Sequence, residues 1–159
     1  MTAMTAAKPP AADVLTMTRS FDAPRGGVFR AWTDPERMAR WWGPHRFTNP
    51  VCELDPRPDG AIRIHMRAPD GSIHPLRGVY HDVAPPERLT LTTIADGEGG
   101  RILIETFITA SFSERGKKTT LGLQIRVVQV AAEFARARAG MEEGWSQSLE
   151  RLTAYLRTV

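Results

Sequence analysis

A chain of 159 residues with 42% hydrophobic and 25% charged side chains is long enough to bury roughly 70% of its unfolded surface, and it reads as one soluble globular domain. The formal charge is +3, with three lysines (Lys8, Lys117, Lys118) and 18 arginines; these are scattered beside acids, as in "DPERMAR", which argues against the basic face that nucleic-acid binding needs. One cysteine, Cys52, excludes an intrachain disulfide and multi-cysteine zinc sites, and no apolar run approaches the roughly 18 residues of a membrane span.

Residues 1–12 lack the apolar centre of a signal peptide and read as a flexible leader, so the domain is expected over 13–159. With its lone thiol, the chain is expected in the cytoplasm. "VLTMTRSF" (Val14–Phe21) alternates and is rich in β-branched residues, which predicts a first strand. "DAPRGGVFRAWTDPERMARWW" predicts two short helices. Asp22 is the expected N-cap of the first, with Pro24 in its first turn. Asp34 is the expected N-cap of the second, with Pro35 at its first position and Gly43-Pro44 ending it. Consecutive helical residues lie about 100° apart. Trp41 and Trp42 are therefore expected to diverge, one into the core and the other at least partly exposed at a cavity mouth. Plain packing of the helix pair is the simpler alternative.

From Phe47 to Val130 the pattern becomes alternation broken by turns: "PRPDG", "APDGS", "APPE", "DGEGG" and "SERGKK". Ile62, Ile64 and Met66 share one face, as do Ile102 through Phe112 at every second position, and Leu121, Leu123 and Ile125. If Arg77 points outward, then His74, Leu76, Gly78, Tyr80 and Asp82 point inward, and a glycine inside a strand marks a bulge or a close approach. Ala131 to about Thr158 reads as one helix of roughly 40 Å. Its stripe is Phe134, Met141, Trp145, Leu149, Leu152 and Leu156, with Gly140 and Gly144 in its middle. A one-faced sheet must be covered, and this helix is the element long enough to do it.

"RSFDAPRGGVFRAWTDPERMARWWGP", "DPRPDG", "GVYHDVAPPERL" and "GMEEGWSQSLERL" resemble, in that order, the heat-shock protein 90 ATPase activator homologue family. That family belongs to the START-like (SRPBCC, Bet v allergen-like) superfamily. The resemblance runs from about Arg19 to Leu156 and implies an α+β helix-grip fold: a curved antiparallel sheet around a long C-terminal helix, with two short helices after the first strand. It implies the biochemistry only weakly, because one fold hosts many functions.

The four histidines, His45, His65, His74 and His81, show no metal-ligand spacing, so no metal is expected, and nothing in the sequence calls for a cofactor. Cys52 has no basic neighbour and reads as a structural thiol. The reading that remains is an apolar ligand cavity between the final helix and the sheet. Its expected lining is Trp42, Phe47, Ile64, Met66, Leu76, Gly78, Tyr80, Ile104, Thr106, Met141 and Trp145. The expected partner is a small hydrophobic or aromatic molecule. A homodimer is compatible with the pattern. A cyclase- or hydrolase-type enzyme using the same cavity is one alternative. A chaperone-interaction module is the other, ranked last because no second module is visible.

Overall fold

The computed structural model describes residues 14–132 and 140–159. The expected leader and Phe134 lie outside the described residues. In chain order the elements are β1 (Val14–Phe21), α1 (Arg25–Ala31), α2 (Pro35–Met38), β2 (Thr48–Leu54), β3 (Ala61–Arg67), β4 (Ile73–Ala84), β5 (Arg88–Asp96), β6 (Ile102–Arg115), β7 (Lys118–Val130) and α3 (Met141–Leu156).

The strands form one sheet in the order β1-β7-β6-β5-β4-β3-β2, every pair antiparallel. The five turn-rich stretches fall at the five connections from β2 to β7. Directly opposed residues of antiparallel neighbours share a face. The register therefore builds rows across the concave side, Ile64–Leu76–Ala95–Ile104 and Ile62–Gly78–Thr93–Thr106 among them. Ile62, Ile64, Leu91, Ile108, Leu121, Leu123 and Ile125 are buried there. α3 sets Leu149, Leu152 and Leu156 into the same core at helical spacing. This is the expected α+β helix-grip architecture. Because β1 and β2 are opposite edges, α1 and α2 must carry the chain from one edge of the sheet to the other.

α2 is built as its sequence dictates: the Asp34 carboxylate accepts from the backbone N–H of Glu36 (2.9 Å) and Arg37 (3.4 Å), with Pro35 at the first position. α1 differs from expectation. Pro24 is its N-cap and Asp22 does not cap it. The start of α1 is fastened instead to the β6–β7 hairpin. The Thr119 hydroxyl donates to the Ala23 carbonyl (2.7 Å) and the Arg25 N–H donates to the Glu114 carboxylate (3.0 Å).

The start of the expected final helix also differs from expectation at Ala131. α3 begins at Met141 with Gly140 as N-cap, and its 16 residues span about 24 Å. Ala131 is not helical, because its N–H extends the sheet pairing by donating to the Leu103 carbonyl (2.8 Å). Residues 133–139 of the expected helix lie outside the described residues; of its two glycines, Gly140 is the N-cap of α3 and Gly144 sits inside it.

Trp41 and Trp42 correct the expected divergence, since both are buried. α2 ends at Met38, with Ala39 as its C-cap, so the two tryptophans lie beyond it and not on a surface helix. Their segment packs against α1 through Trp32 and against α3 through Trp145, so directions far apart both lead inward. Trp41 Nε1 donates to the Ala31 carbonyl (2.8 Å), and its ring lies 5.0 Å from Trp32. Trp145, half-buried, stacks on Trp32 (6.0 Å, planes 9° apart) and meets Trp42 edge-on (5.4 Å). All four tryptophans form one cluster joining the α1–α2 connector to α3.

On β4, Asp82 is exposed and does not face inward. The register shifts between Tyr80 and Val83, and this bulge turns the later side chains over. Of the two readings of Gly78, the bulge is not found, because the glycine keeps regular pairs with Ile62 and Thr93. It is instead a close approach, because a Cβ there would run into the Thr92 backbone carbonyl. His74, also expected inward, is exposed at the start of β4 beside Ser72 (3.1 Å).

Candidate functional site

A recess of ≈ 320 Å³ opens between α3 and the sheet. Among the described residues, three parts of the chain wall it. Met66, Leu76, Thr93, Ile104 and Thr106 come from β3 to β6; Met141, Gly144, Trp145 and Ser148 come from α3; Trp42, Gly43 and Pro44 come from the end of the connector. Its volume is at the small end of the roughly 300–1,000 Å³ usual for small-molecule sites.

Seven of the residues expected from the sequence meet at this recess: Trp42, Met66, Leu76, Ile104, Thr106, Met141 and Trp145. Parity along the strands brings the sheet residues to one face, and spacing of four on α3 aligns Met141 with Trp145. The other four sit elsewhere. Ile64 is packed in the core. Phe47 lies beside His74, ring centroids 6.2 Å apart. Gly78 presses on β5. Tyr80 is fully buried, and its hydroxyl donates to the Trp32 carbonyl (3.1 Å), pinning the end of α1 to β4. Burial pushes the Tyr80 pKa up, as expected for a phenol held neutral in the core.

Gly43, Pro44, Thr93, Gly144 and Ser148 line the recess without having been expected there. Gly43 has φ +97°, which favours glycine, and a Cβ would press on the Met66 methyl at 3.1 Å. Gly144 presents no side chain, and the nearest atom to a Cβ there would be Pro44 Cγ at 4.0 Å. That missing side chain leaves space between the helix and the connector.

Arg151 fixes the rim. Its Nη1 donates to the carbonyls of Trp42 (3.0 Å), Gly43 (2.9 Å) and Pro44 (3.0 Å), and Nη2 donates to Arg40 (3.4 Å). Burial lowers its pKa, since the guanidinium is partly desolvated there. The Asn49 amide donates to the Trp42 carbonyl (2.9 Å) and the Ala39 carbonyl (3.0 Å). The connector's last turn is thus tied to α3 and β2 by its own backbone carbonyls.

Inside, the described lining holds no ionisable side chain; its side-chain hydroxyls are those of Thr93, Thr106 and Ser148, all three residues buried, and the indoles of Trp42 and Trp145 carry its other polar side-chain groups. Thr93 and Thr106 are directly opposed on β5 and β6, with their Oγ1 atoms 2.6 Å apart. Outside the recess, the exposed His45 ring lies 3.0 Å from Glu150. Cys52 is half-buried on β2, and burial, followed by the charges of Asp34 and Glu53, pushes its pKa up to about 11. That makes it a poor nucleophile. Among the described residues, no group of three or more His, Cys, Asp or Glu is placed to hold a metal. No described helix is long and apolar enough to cross a membrane.

Residues 22–157 match the sequence model of the family described as Activator of Hsp90 ATPase homolog 1-like protein. Among curated proteins none matches the chain. Several solved structures share its fold. A protein from Arthrobacter aurescens is 24% identical with a TM-score of 0.82, covering 93% of this chain and 88% of that one. The AHSA1 protein from Silicibacter pomeroyi is 24% identical with a TM-score of 0.78, covering 91% and 98%. A protein from Nitrosomonas europaea is 21% identical with a TM-score of 0.78, covering 94% and 97%. At these identities the likeness speaks for the fold alone.

Proposed function

The chain belongs to the Activator of Hsp90 ATPase homolog 1-like family, and we propose that this member binds a small hydrophobic or aromatic molecule in the recess between α3 and the sheet. The observation that carries the reading is the recess itself. It joins two tryptophans and two methionines to a floor of Leu76 and Ile104, and a glycine stands at position 144 of the covering helix. A helix-interior glycine costs about 1 kcal/mol relative to alanine, and here the sacrifice leaves volume that a ligand can fill. Residues 13–159 act as one domain in this reading. Its working location is the cytoplasm, where a lone thiol stays reduced.

A hydrolase or cyclase would need an acid–base pair at the bound molecule, and the described lining supplies none, so binding ranks above catalysis. Chaperone ATPase activation, which the family description names, is the second reading. Titration with N-phenylnaphthylamine, a neutral probe that fluoresces in apolar surroundings, tests the proposal. The wild type should bind it saturably, and Gly144→Leu, which fills the recess, should weaken binding about tenfold or more while the protein still melts cooperatively. Equal affinity in the two proteins would refute the site. Stimulation of an Hsp90 ATPase that Gly144→Leu leaves intact would favour the second reading.

A further inference from the structure

We infer that the recess selects an uncharged aromatic or alicyclic molecule bearing a carbonyl oxygen, and that the Thr93–Thr106 hydroxyl pair reads that oxygen. The inference rests on the binding role proposed above. Each threonine hydroxyl has a single proton. At 2.6 Å one of the two donates to the other. The accepting hydroxyl then keeps its own proton, and among the described residues neither threonine side chain has another hydrogen-bond partner. Both residues are at most 7% exposed, so bulk water is a poor acceptor for that proton. A buried donor without an acceptor is unfavourable, and the pair borders the recess. A ligand oxygen is the partner this arrangement lacks.

Charge narrows the class further. A carboxylate or an ammonium would be desolvated against Leu76, Ile104 and Met66 without an opposite charge in the described lining. A pure hydrocarbon would leave the hydroxyl proton unmet. A neutral carbonyl compound satisfies both conditions, and its apolar body faces the Trp42 and Trp145 rings and the methionine sulfurs.

Acetylnaphthalene, isopropenylnaphthalene (the same shape with CH₂ in place of oxygen) and naphthoate form the test set, titrated calorimetrically into the full chain. In the wild type the ketone should bind about fivefold more tightly than the hydrocarbon, the worth of one net hydrogen bond, and naphthoate should bind most weakly. Thr93→Val with Thr106→Val should shift the ketone-to-hydrocarbon ratio about tenfold toward the hydrocarbon. Thr106→Ser, which keeps the hydroxyl, should preserve the wild-type ratio. Because the ratio is taken within each protein, a general loss of stability does not imitate it. Thr106→Val alone supplies the comparison if the double variant does not fold. A ratio unmoved by the valine substitutions overturns the inference and leaves the pair as a cross-strand link. Tighter binding of naphthoate than of the ketone overturns it as well. If ketone and hydrocarbon bind equally at a site that Gly144→Leu blocks, the inference falls and the binding role stands. If none of the three binds, both fall.

Discussion

Arg151→Ala removes the guanidinium that holds the rim of the recess, and its cost follows from the contacts. Nη1 carries two hydrogens and meets three carbonyls at 2.9–3.0 Å, so one hydrogen is shared. A hydrogen bond from a charged donor contributes about 1.5–3 kcal/mol net, so two well-placed hydrogens contribute ~3–6 kcal/mol. Partial desolvation of the guanidinium, the cause of its lowered pKa, offsets part of this, and water can reach the vacated carbonyls. The expected loss is about 2–4 kcal/mol. Urea unfolding followed by tryptophan fluorescence measures it, with the m-value expected to stay constant. Arg151→Lys should recover less than half, because the lysine nitrogen ends one bond short of the Nη1 position and leaves the Arg40 carbonyl without its Nη2 partner. A loss below about 0.5 kcal/mol, within the usual range for a surface change, or full recovery by lysine, would refute the reasoning.

Gly144→Ala should stabilise the fold by roughly 0.5–1 kcal/mol, since the new methyl has open space up to Pro44 and the helix loses a glycine; thermal unfolding checks the sign. Gly78→Ala should destabilise by at least ~2 kcal/mol, because its Cβ meets the Thr92 carbonyl and a backbone must shift; a denaturant midpoint near the wild-type value would contradict this. For Cys52 the folded pKa of about 11 stands above the ordinary 9.0. The unfolded chain therefore releases the thiol proton first, and stability falls as pH rises from 9 toward 11. Cys52→Ala should flatten the stability–pH slope in that window, while iodoacetamide should label native Cys52 only slowly at pH 8.

Much of the fold could be read in the sequence because its signals are local. Asp34-Pro35 makes a cap, alternation makes strand faces, and the five Gly- or Pro-bearing stretches make hairpins. What could not be read depends on distant partners. Nothing near Trp41 and Trp42 says that both of their directions lead to protein, because α1 and α3 arrive from elsewhere in the chain. That Ala131 leaves the expected helix hinges on its N–H donating to the Leu103 carbonyl, a contact with a strand distant in sequence. Asp82 was misplaced because the Tyr80–Val83 bulge breaks the parity that places residues before it. The site divides in the same way. Met66, Leu76, Ile104 and Thr106 follow from parity, as does Thr93, which is in phase with Leu89 and Leu91. Thr93 is hidden because it is a threonine like the out-of-phase Thr90 and Thr92, so residue type does not mark it as facing with Leu89 and Leu91. Gly43-Pro44 reads as the end of the second helix, but α2 stops earlier, at Met38, and the pair instead forms part of the recess wall. Arg151 sits at an ordinary polar position of the helix, and only the folded connector reveals the carbonyls it meets.

An apolar ligand between α3 and the sheet would be reported directly by the methionines. Met66 and Met141 line the recess, whereas Met17 and Met38 belong to the buried core away from it. In protein labelled with ¹³C at the methionine methyls, titration with acetylnaphthalene should shift the Met66 and Met141 resonances saturably and together, leaving Met17 and Met38 in place. Saturable shifts at Met17 or Met38 with Met66 and Met141 unmoved, or no saturable shift at any of the four, would contradict binding in the recess.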